Sequence, residues 1–276
     1  MSPERLLRAY RAATIRRRQV LTLANACFDG FWLGLLDPAM LARLDEQFYG
    51  EERDTEDGRS FSYGDERHNL SGLRDWEAAA IDAHFPSGGR VIVTGAGGGR
   101  EVIALLERGF DAIGYEPNEE LVRAGAGLLR RLGHGDRLRR NERDAFPADA
   151  PACDAVVVGW GSYMLIPSRE RRVAFLRAAR GALPEGAPIL CSFFVRSPGA
   201  RYFDVVAVTA NLVRRIRRAE PVEVGDTIGR NFVHRFTRDE IESELAAGGF
   251  RTVTFSARPY GHAVAVAAPM IGTTRA

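Results

Sequence analysis

Along the first 48 residues, apolar side chains return every three or four positions: Leu6, Leu7 and Tyr10, then Val20, Ala24, Cys27, Phe28, Phe31 and Leu35. That spacing predicts helix. Residues 50–66 break the rhythm with a polar, largely acidic, glycine-containing stretch, expected to be a mobile surface segment. A further helix is predicted over 71–84 with Ser71 as its cap. From residue 90 the pattern changes. Short apolar runs at 91–95, 111–118, 154–160 and 188–194 alternate with helical stretches at 100–108, 119–132 and 168–182. Strands separated by helices predict βαβ units and a parallel sheet covered on both faces. The end differs: residues 250–259 and 262–269 are joined only by Tyr260-Gly261, too short for a crossover, so they must pair as an antiparallel hairpin.

The first strand runs into Thr94-Gly95-Ala96-Gly97-Gly98-Gly99-Arg100-Glu101 at the start of a helix. Glycines there permit a tight turn and let a ligand approach the backbone near the electropositive helix end. Glu116 closes the second strand, where a carboxylate is placed to accept from both hydroxyls of a ribose. A dinucleotide fingerprint starting at Gly95 requires glycine or alanine at position 100, which is Arg100.

This order of features resembles the class I S-adenosylmethionine-dependent methyltransferases over about residues 88–270, with Gly95-Ala96-Gly97-Gly98-Gly99 as the G-x-G-x-G of the first motif. The resemblance implies an α/β, Rossmann-like, mostly parallel seven-stranded sheet with the antiparallel C-terminal hairpin, helices on both faces and S-adenosyl-L-methionine as cofactor. The methyltransferase domain would span 73–276, preceded by an N-terminal helical extension over 1–72. Carried over residue by residue, the resemblance sets Gly95, Ala96, Gly97 and Gly99 against the methionine and ribose parts of the cofactor. It gives Glu116, followed by Pro117, the ribose hydroxyls. Asp144 would accept from the adenine amino group, with Ala145 and Phe146 beside the ring, and Trp160 and Gly161 would lie between cofactor and acceptor. Val93 stands where the family has an acid, and Glu101, one turn into the helix, is the candidate substitute.

Methyl transfer from a sulfonium requires an aimed lone pair and exclusion of water. A carboxylate or activated phenol needs no base, whereas an alcohol or ammonium does. An insertion at about 197–232 is where small-molecule members of this family build an acceptor cap. It contains a helix through Val205, Val208, Leu212 and Ile216, whose Arg214, Arg215, Arg217 and Arg218 either attract an acidic acceptor or form a solvated face. His234, just before a helix that Thr237 would cap, is the first candidate base, the alternative being a hydrogen-bonded structural histidine; Tyr163 is the second candidate. Tyr63, Asn69 and Ser162 are the candidate acceptor contacts. The extension is expected to act as a lid or as a homodimerisation arm, which Phe28, Phe31 and Trp32 would equally suit.

Composition narrows the chemistry. With 276 residues, 45% apolar and 27% charged, the chain has a globular profile. No apolar run is long enough to span a membrane, and Asp29 interrupts the stretch after Arg16–Arg18, so neither a membrane partner nor a secretory signal is expected. Three widely spaced cysteines suit a reducing cytoplasm. All 38 basic residues are arginine, which excludes a P-loop lysine, a Schiff-base lysine and a lysine base; a GC-rich coding sequence produces the same bias. A net charge of +2 gives no reason to expect nucleic acid, and His68, His84, His134 and His262 show no metal-ligand spacing. The expectation is a cytoplasmic methyltransferase acting on O or N of a small-molecule acceptor in specialised metabolism. The rivals are RNA or peptide methylation, a cofactor-binding scaffold without catalysis, and an NAD-dependent oxidoreductase, which Arg100 and the terminal hairpin disfavour.

Overall fold

The computed structural model describes residues 2–50, 54–56 and 59–269. The N-terminal helical run is two helices, α1 (Pro3–Leu35) and α2 (Pro38–Gly50). They are separated where Asp37 Oδ1 accepts the Met40 N–H at 2.9 Å. The stretch expected to be mobile holds a short antiparallel hairpin, β1 (Asp54–Glu56) with β2 (Arg59–Phe61); residues 51–53 and 57–58 lie outside the described residues. A single turn α3 (Glu66–Asn69) and helix α4 (Asp75–His84) follow. The predicted cap Ser71 is not used, because its Oγ donates to the His68 carbonyl at 2.7 Å. Arg74 is the N-cap instead, its N–H bound by Glu77 at 2.7 Å.

The alternating region then runs β3 (Arg90–Thr94), α5 (Arg100–Glu107), β4 (Asp111–Glu116), α6 (Glu119–Arg131), β5 (Leu138–Arg140), β6 (Ala155–Val158), α7 (Arg169–Ala182) and β7 (Pro188–Phe193). Beyond it lie α8 (Arg201–Arg217), the small hairpin β8 (Asp226–Ile228) with β9 (Phe232–His234), α9 (Arg238–Ala247), and the terminal pair β10 (Phe250–Ser256) and β11 (Gly261–Ala267). Seven strands form one sheet in the order β10-β11-β7-β6-β3-β4-β5, with β11 antiparallel to both neighbours. Edge strand β5, of which only Leu138 is buried, was too short to announce itself as an apolar run. Thr237 caps α9 as expected, its Oγ1 accepting the Glu240 N–H at 3.3 Å.

Strand alternation sorts the core into two layers. Ile92 points into a cluster with Phe175 and Leu176 of α7 and Ile241 and Leu245 of α9. Val91 and Val93 point the other way, onto Val102 and Leu105 of α5 and Leu128 and Leu129 of α6. Val93 is therefore fully buried in an apolar layer, where an acid would find no water.

The insertion departs from its predicted face. Val208, Leu212 and Ile216 are exposed, at 71%, 63% and 79%. The buried face is Val206, Ala207, Ala210 and Arg214, laid against α1. The close approach is made by glycine: a Cβ at Gly30 would lie 2.6 Å from the Val206 carbonyl, and one at Gly34 would lie 2.7 Å from Val213 Cβ. Arg214 belongs to no solvated face. Its guanidinium is buried, donating to the Leu33, Leu36 and Glu220 carbonyls and so satisfying the end of α1. The earlier part of α1, from Pro3 through Asn25, is exposed along its whole length.

Candidate active site

Strands β3, β4 and β6 end side by side, and a cleft of about 830 Å³ opens beyond their carboxyl ends. That is the position where open α/β sheets bind ligands. The loop after β3 supplies its floor. Gly95, Gly97 and Gly99 have φ of 60°, 55° and 98°, left-handed values that side chains avoid. Gly95 has a second constraint: a Cβ there would fall 2.1 Å from Ser162 Oγ, which donates to the Gly95 carbonyl at 3.2 Å. Gly98 is needed for a different reason, since a Cβ on it would meet Asn69 Nδ2 at 2.3 Å and the Tyr63 carbonyl at 2.4 Å. The N-terminal extension is seated directly on the loop.

Glu116 is the best-defined acid of the cleft. Its Oε2 accepts the Gly97 N–H at 2.9 Å and its Oε1 the Asn118 N–H at 2.8 Å, so both oxygens are fixed and each keeps a lone pair for a ligand. Burial raises its carboxyl above the ordinary range, and those two N–H groups oppose the rise. Across the cleft, Asp144 has φ 61°, a left-handed value, and lies 3.7 Å from Arg171. Burial raises its carboxyl also. The apolar part of the lining is Leu121, Val158, Leu165, Ile166 and Phe175, with Pro117 and Ala145.

The extension completes the enclosure. Asp45 and Tyr49 of α2 and Tyr63 line the cleft, and Asp45 Oδ2 is held by Arg143 at 2.8 Å. Burial pushes the Asp45 carboxyl up to about 7 against the pull of Arg143. Arg100 fastens the extension from below. It is buried in a bidentate pair with Glu77, both contacts 2.7 Å, and also binds Glu101 at 2.6 Å and the Gly72 carbonyl at 2.8 Å. The residue that breaks the dinucleotide fingerprint thus ties α4 to the loop.

A second cavity of about 1240 Å³ adjoins the cleft, and Tyr49, Tyr63 and Trp160 line both. Phe48, Phe194, Tyr202, Phe203 and Tyr260 add further aromatic rings to its wall. Beside the loop lies a small recess lined by Asn69, Ala96, Gly97, Glu101 and Trp160. Buried polar atoms in these walls without a hydrogen-bond partner include Thr94 Oγ1, Trp160 Nε1 and Asn69 Oδ1. Asn69 Nδ2 is committed to the Tyr63 and Asp65 carbonyls, both at 3.0 Å, which fixes the oxygen as the free end.

Of the residues singled out from sequence, Gly95, Gly97, Glu116, Pro117, Asp144, Ala145, Trp160, Ser162 and Tyr63 come together on the cleft, and Ala96, Glu101 and Asn69 on the recess. Glu101 Oε1 takes Arg100 and the Trp160 N–H at 3.2 Å. Gly99 turns away toward Leu129 and Leu138 as the N-cap of α5. Phe146 packs into the core against Phe175, its ring 6.0 Å away, and Gly161 lines none of the cavities. The two candidate bases are also placed elsewhere. His234 is 2% exposed, with Nδ1 2.6 Å from Asp226 Oδ1, and its ring faces Phe236. The strand alternation of β9 sends Val233 to the cavity and His234 into the protein. Tyr163 is fully buried, its hydroxyl donating to Glu244 at 2.7 Å, and burial beside that carboxylate raises the phenol well above its usual range. His234, Asp226 and Glu223 lie close enough together to suggest a cation site, but Glu223 Oε2 already takes Arg172 Nη2 at 2.6 Å.

Asp45, Asn141, Arg143 and Phe175 also line the cleft without having been singled out for it. Asn141 and Arg143 flank Asp144 in the chain, whereas Asp45 and Phe175 stand far from both the glycine loop and Asp144 and carry no local signal. The comparisons agree with the topology. No protein-family model matches the sequence, and no curated protein does. Solved structures do. A SAM-dependent methyltransferase from Methanosarcina mazei superposes with a TM-score of 0.58 at 15% identity, covering 72% of this chain and 100% of the other. The 1,6-didemethyltoxoflavin-N1-methyltransferase of Burkholderia thailandensis gives 0.54 at 17% identity over 85% and 92%. The sugar N-methyltransferase KedS8 from Streptoalloteichus gives 0.54 at 16% over 80% and 98%. The chain has the class I SAM-dependent methyltransferase fold, including the seven-stranded sheet and its reversed terminal strand.

Proposed function

We propose that this chain is an S-adenosylmethionine-dependent methyltransferase that methylates an oxygen or nitrogen of a small molecule, in specialised metabolism. The observation that carries the reading is Glu116. A buried carboxylate is held by two backbone N–H groups at the end of β4, one of them from the glycine loop, in the place and pose that a ribose diol requires. The cleft fits the rest of the cofactor: Asp144 and the apolar slot suit an adenine, and the recess beside Gly97, with Asn69 Oδ1 in its wall, suits a group that donates hydrogen bonds. The bound cofactor would supply an electrophilic methyl group on sulfur.

The protein's own contribution is positioning. Tyr49, Tyr63 and Trp160 form the only wall shared by cleft and second cavity among the described residues, so an acceptor held in the aromatic cavity meets the cleft there. The extension, seated on Gly98 and latched by Asp45–Arg143, excludes water from that meeting point. Methylation of a small molecule is favoured over RNA because the 137–140 basic run is matched by acids: Arg137 with Asp111, Arg139 with Asp149, Arg140 with Glu119. Calorimetric titration with S-adenosylhomocysteine, run beside NAD, tests the reading. Micromolar binding of the first and none of the second is expected. NAD binding, or no binding of S-adenosylhomocysteine, would overturn it.

A further inference from the structure

The aromatic cavity carries chemistry that the fold does not prescribe. Its rings come from six separate parts of the chain: Phe48 and Tyr49 on α2, Tyr63 before α3, Trp160 after β6, Phe194 after β7, Tyr202 on α8 and Tyr260 in the terminal hairpin. Tyr260 gathers them, with ring centres 5.4 Å from Trp160 and 5.3 Å from Phe194. Such walls offer flat apolar faces to a ring system.

The ionisable groups are one-sided. Among the described lining residues there is neither a carboxylate nor an imidazole, only tyrosines and arginines. The phenols are poor bases: burial raises Tyr49 and Tyr202, and Tyr202 already donates to Asp29. Arg235, half-buried, sets its guanidinium 4.7 Å from the centre of the Phe194 ring, and among the described residues no carboxylate pairs with it. Its neighbour Arg196 is different, being paired with Glu240. A cation among aromatic rings without an acid partner favours an anionic ligand. It repels an ammonium, and no group in the cavity can deprotonate one.

We infer that the acceptor is a flat aromatic acid, bound as its anion and selected by Arg235; this rests on the methyltransferase reading above. An acceptor oxygen that arrives ionised uses its lone pair for the new O–C bond while the S–C pair returns to sulfur, so the product is neutral and no proton has to be moved. That removes the requirement for the base that His234 and Tyr163, both turned away from the cavity, do not provide.

The test compares three probes of one shape: 2-naphthoate, 2-naphthamide and 2-naphthylmethylamine. Each is titrated calorimetrically into protein saturated with S-adenosylhomocysteine. Naphthoate is expected to bind at least tenfold more tightly than the amide, with the amine weakest. Arg235→Gln should abolish the preference for the acid, and Arg235→Lys should restore part of it. Amide or amine binding as tight as naphthoate, no naphthoate binding at all, or an unchanged preference in Arg235→Gln would each overturn the inference. Failure of the wild type to bind S-adenosylhomocysteine would instead remove the methyltransferase reading beneath it, and the inference with it.

Discussion

Replacing Glu116 by glutamine separates binding from stability. The side chain keeps its length and shape, but one carboxylate oxygen becomes an NH₂ group. Both oxygens now accept backbone N–H groups, from Gly97 at 2.9 Å and Asn118 at 2.8 Å, so the amide must set a donor against one of these donors. It also loses the charge that strengthens hydrogen bonds from a ribose diol. A hydrogen bond to a charged group contributes about 1.5–3 kcal/mol, so losing two at the lower end costs about 3 kcal/mol. At about 1.4 kcal/mol per decade, affinity for S-adenosylhomocysteine should fall by about 100-fold. Unliganded stability should behave otherwise. Burial already disfavours the ionised carboxylate, so neutralising it relieves a desolvation cost while one N–H contact is lost. The two effects oppose each other, and the change in unfolding free energy should stay within about 1 kcal/mol. Calorimetric titration and thermal melting without ligand measure the two quantities. An affinity within threefold of wild type would refute the ribose assignment, and a large loss of stability would show that Glu116 serves the fold rather than the ligand.

Two further outcomes follow from the extension. The Asp45 carboxyl, raised to about 7 by burial, stays protonated in the folded chain after it has ionised in the unfolded one. Its effect on stability is therefore fully favourable below about pH 4, declines as pH rises to about 7 and is constant above, by at most about 4 kcal/mol. Asp45→Asn should melt higher than wild type at pH 8, with the difference shrinking at pH 5; a difference independent of pH would contradict this. Gly98→Ala introduces a Cβ 2.3 Å from Asn69 Nδ2 and 2.4 Å from the Tyr63 carbonyl without straining the backbone. It should cost about 1–3 kcal/mol of overpacking in a melting experiment and weaken S-adenosylhomocysteine binding as the 63–69 segment is displaced. Unchanged melting and binding would show that the extension is not seated on the loop.

The docking of residues 63–84 on the glycine loop also explains two features of the sequence that looked unrelated. Arg100 and Glu77 form a buried bidentate pair, and removal of one partner from such a pair typically costs about 3–5 kcal/mol. Gly98 completes a run of glycines in which its neighbours serve backbone conformation, while it serves contact with Asn69. The loop therefore carries two sets of requirements at once, those of a ligand cleft and those of a docked N-terminal segment.

The sequence by itself determined what is written in local pattern. Short continuous apolar runs separated by helices imposed the βαβ units, the short spacing between the last two runs imposed the terminal hairpin, whose link in the structure is residues 257–260, and glycines followed by a strand-end acid marked the cleft. These are short-range constraints, legible because a few adjacent residues suffice to state them. What depends on which helix meets which was decided only in three dimensions. Apolar spacing on α8 was compatible with either of two faces, and contact with Gly30 and Gly34 of α1 selected the one that buries Val206, Ala210 and Arg214. His234 has the chemistry of a base, yet one step of strand alternation and a bond to Asp226 hold it inside the protein. Asp45 is an unremarked acid on a surface-patterned helix until α2 closes over the cleft and burial raises its carboxyl. The aromatic cavity is the extreme case, because its walls come from segments more than 200 residues apart and exist as a site only where the sheet, the insertion and the extension converge.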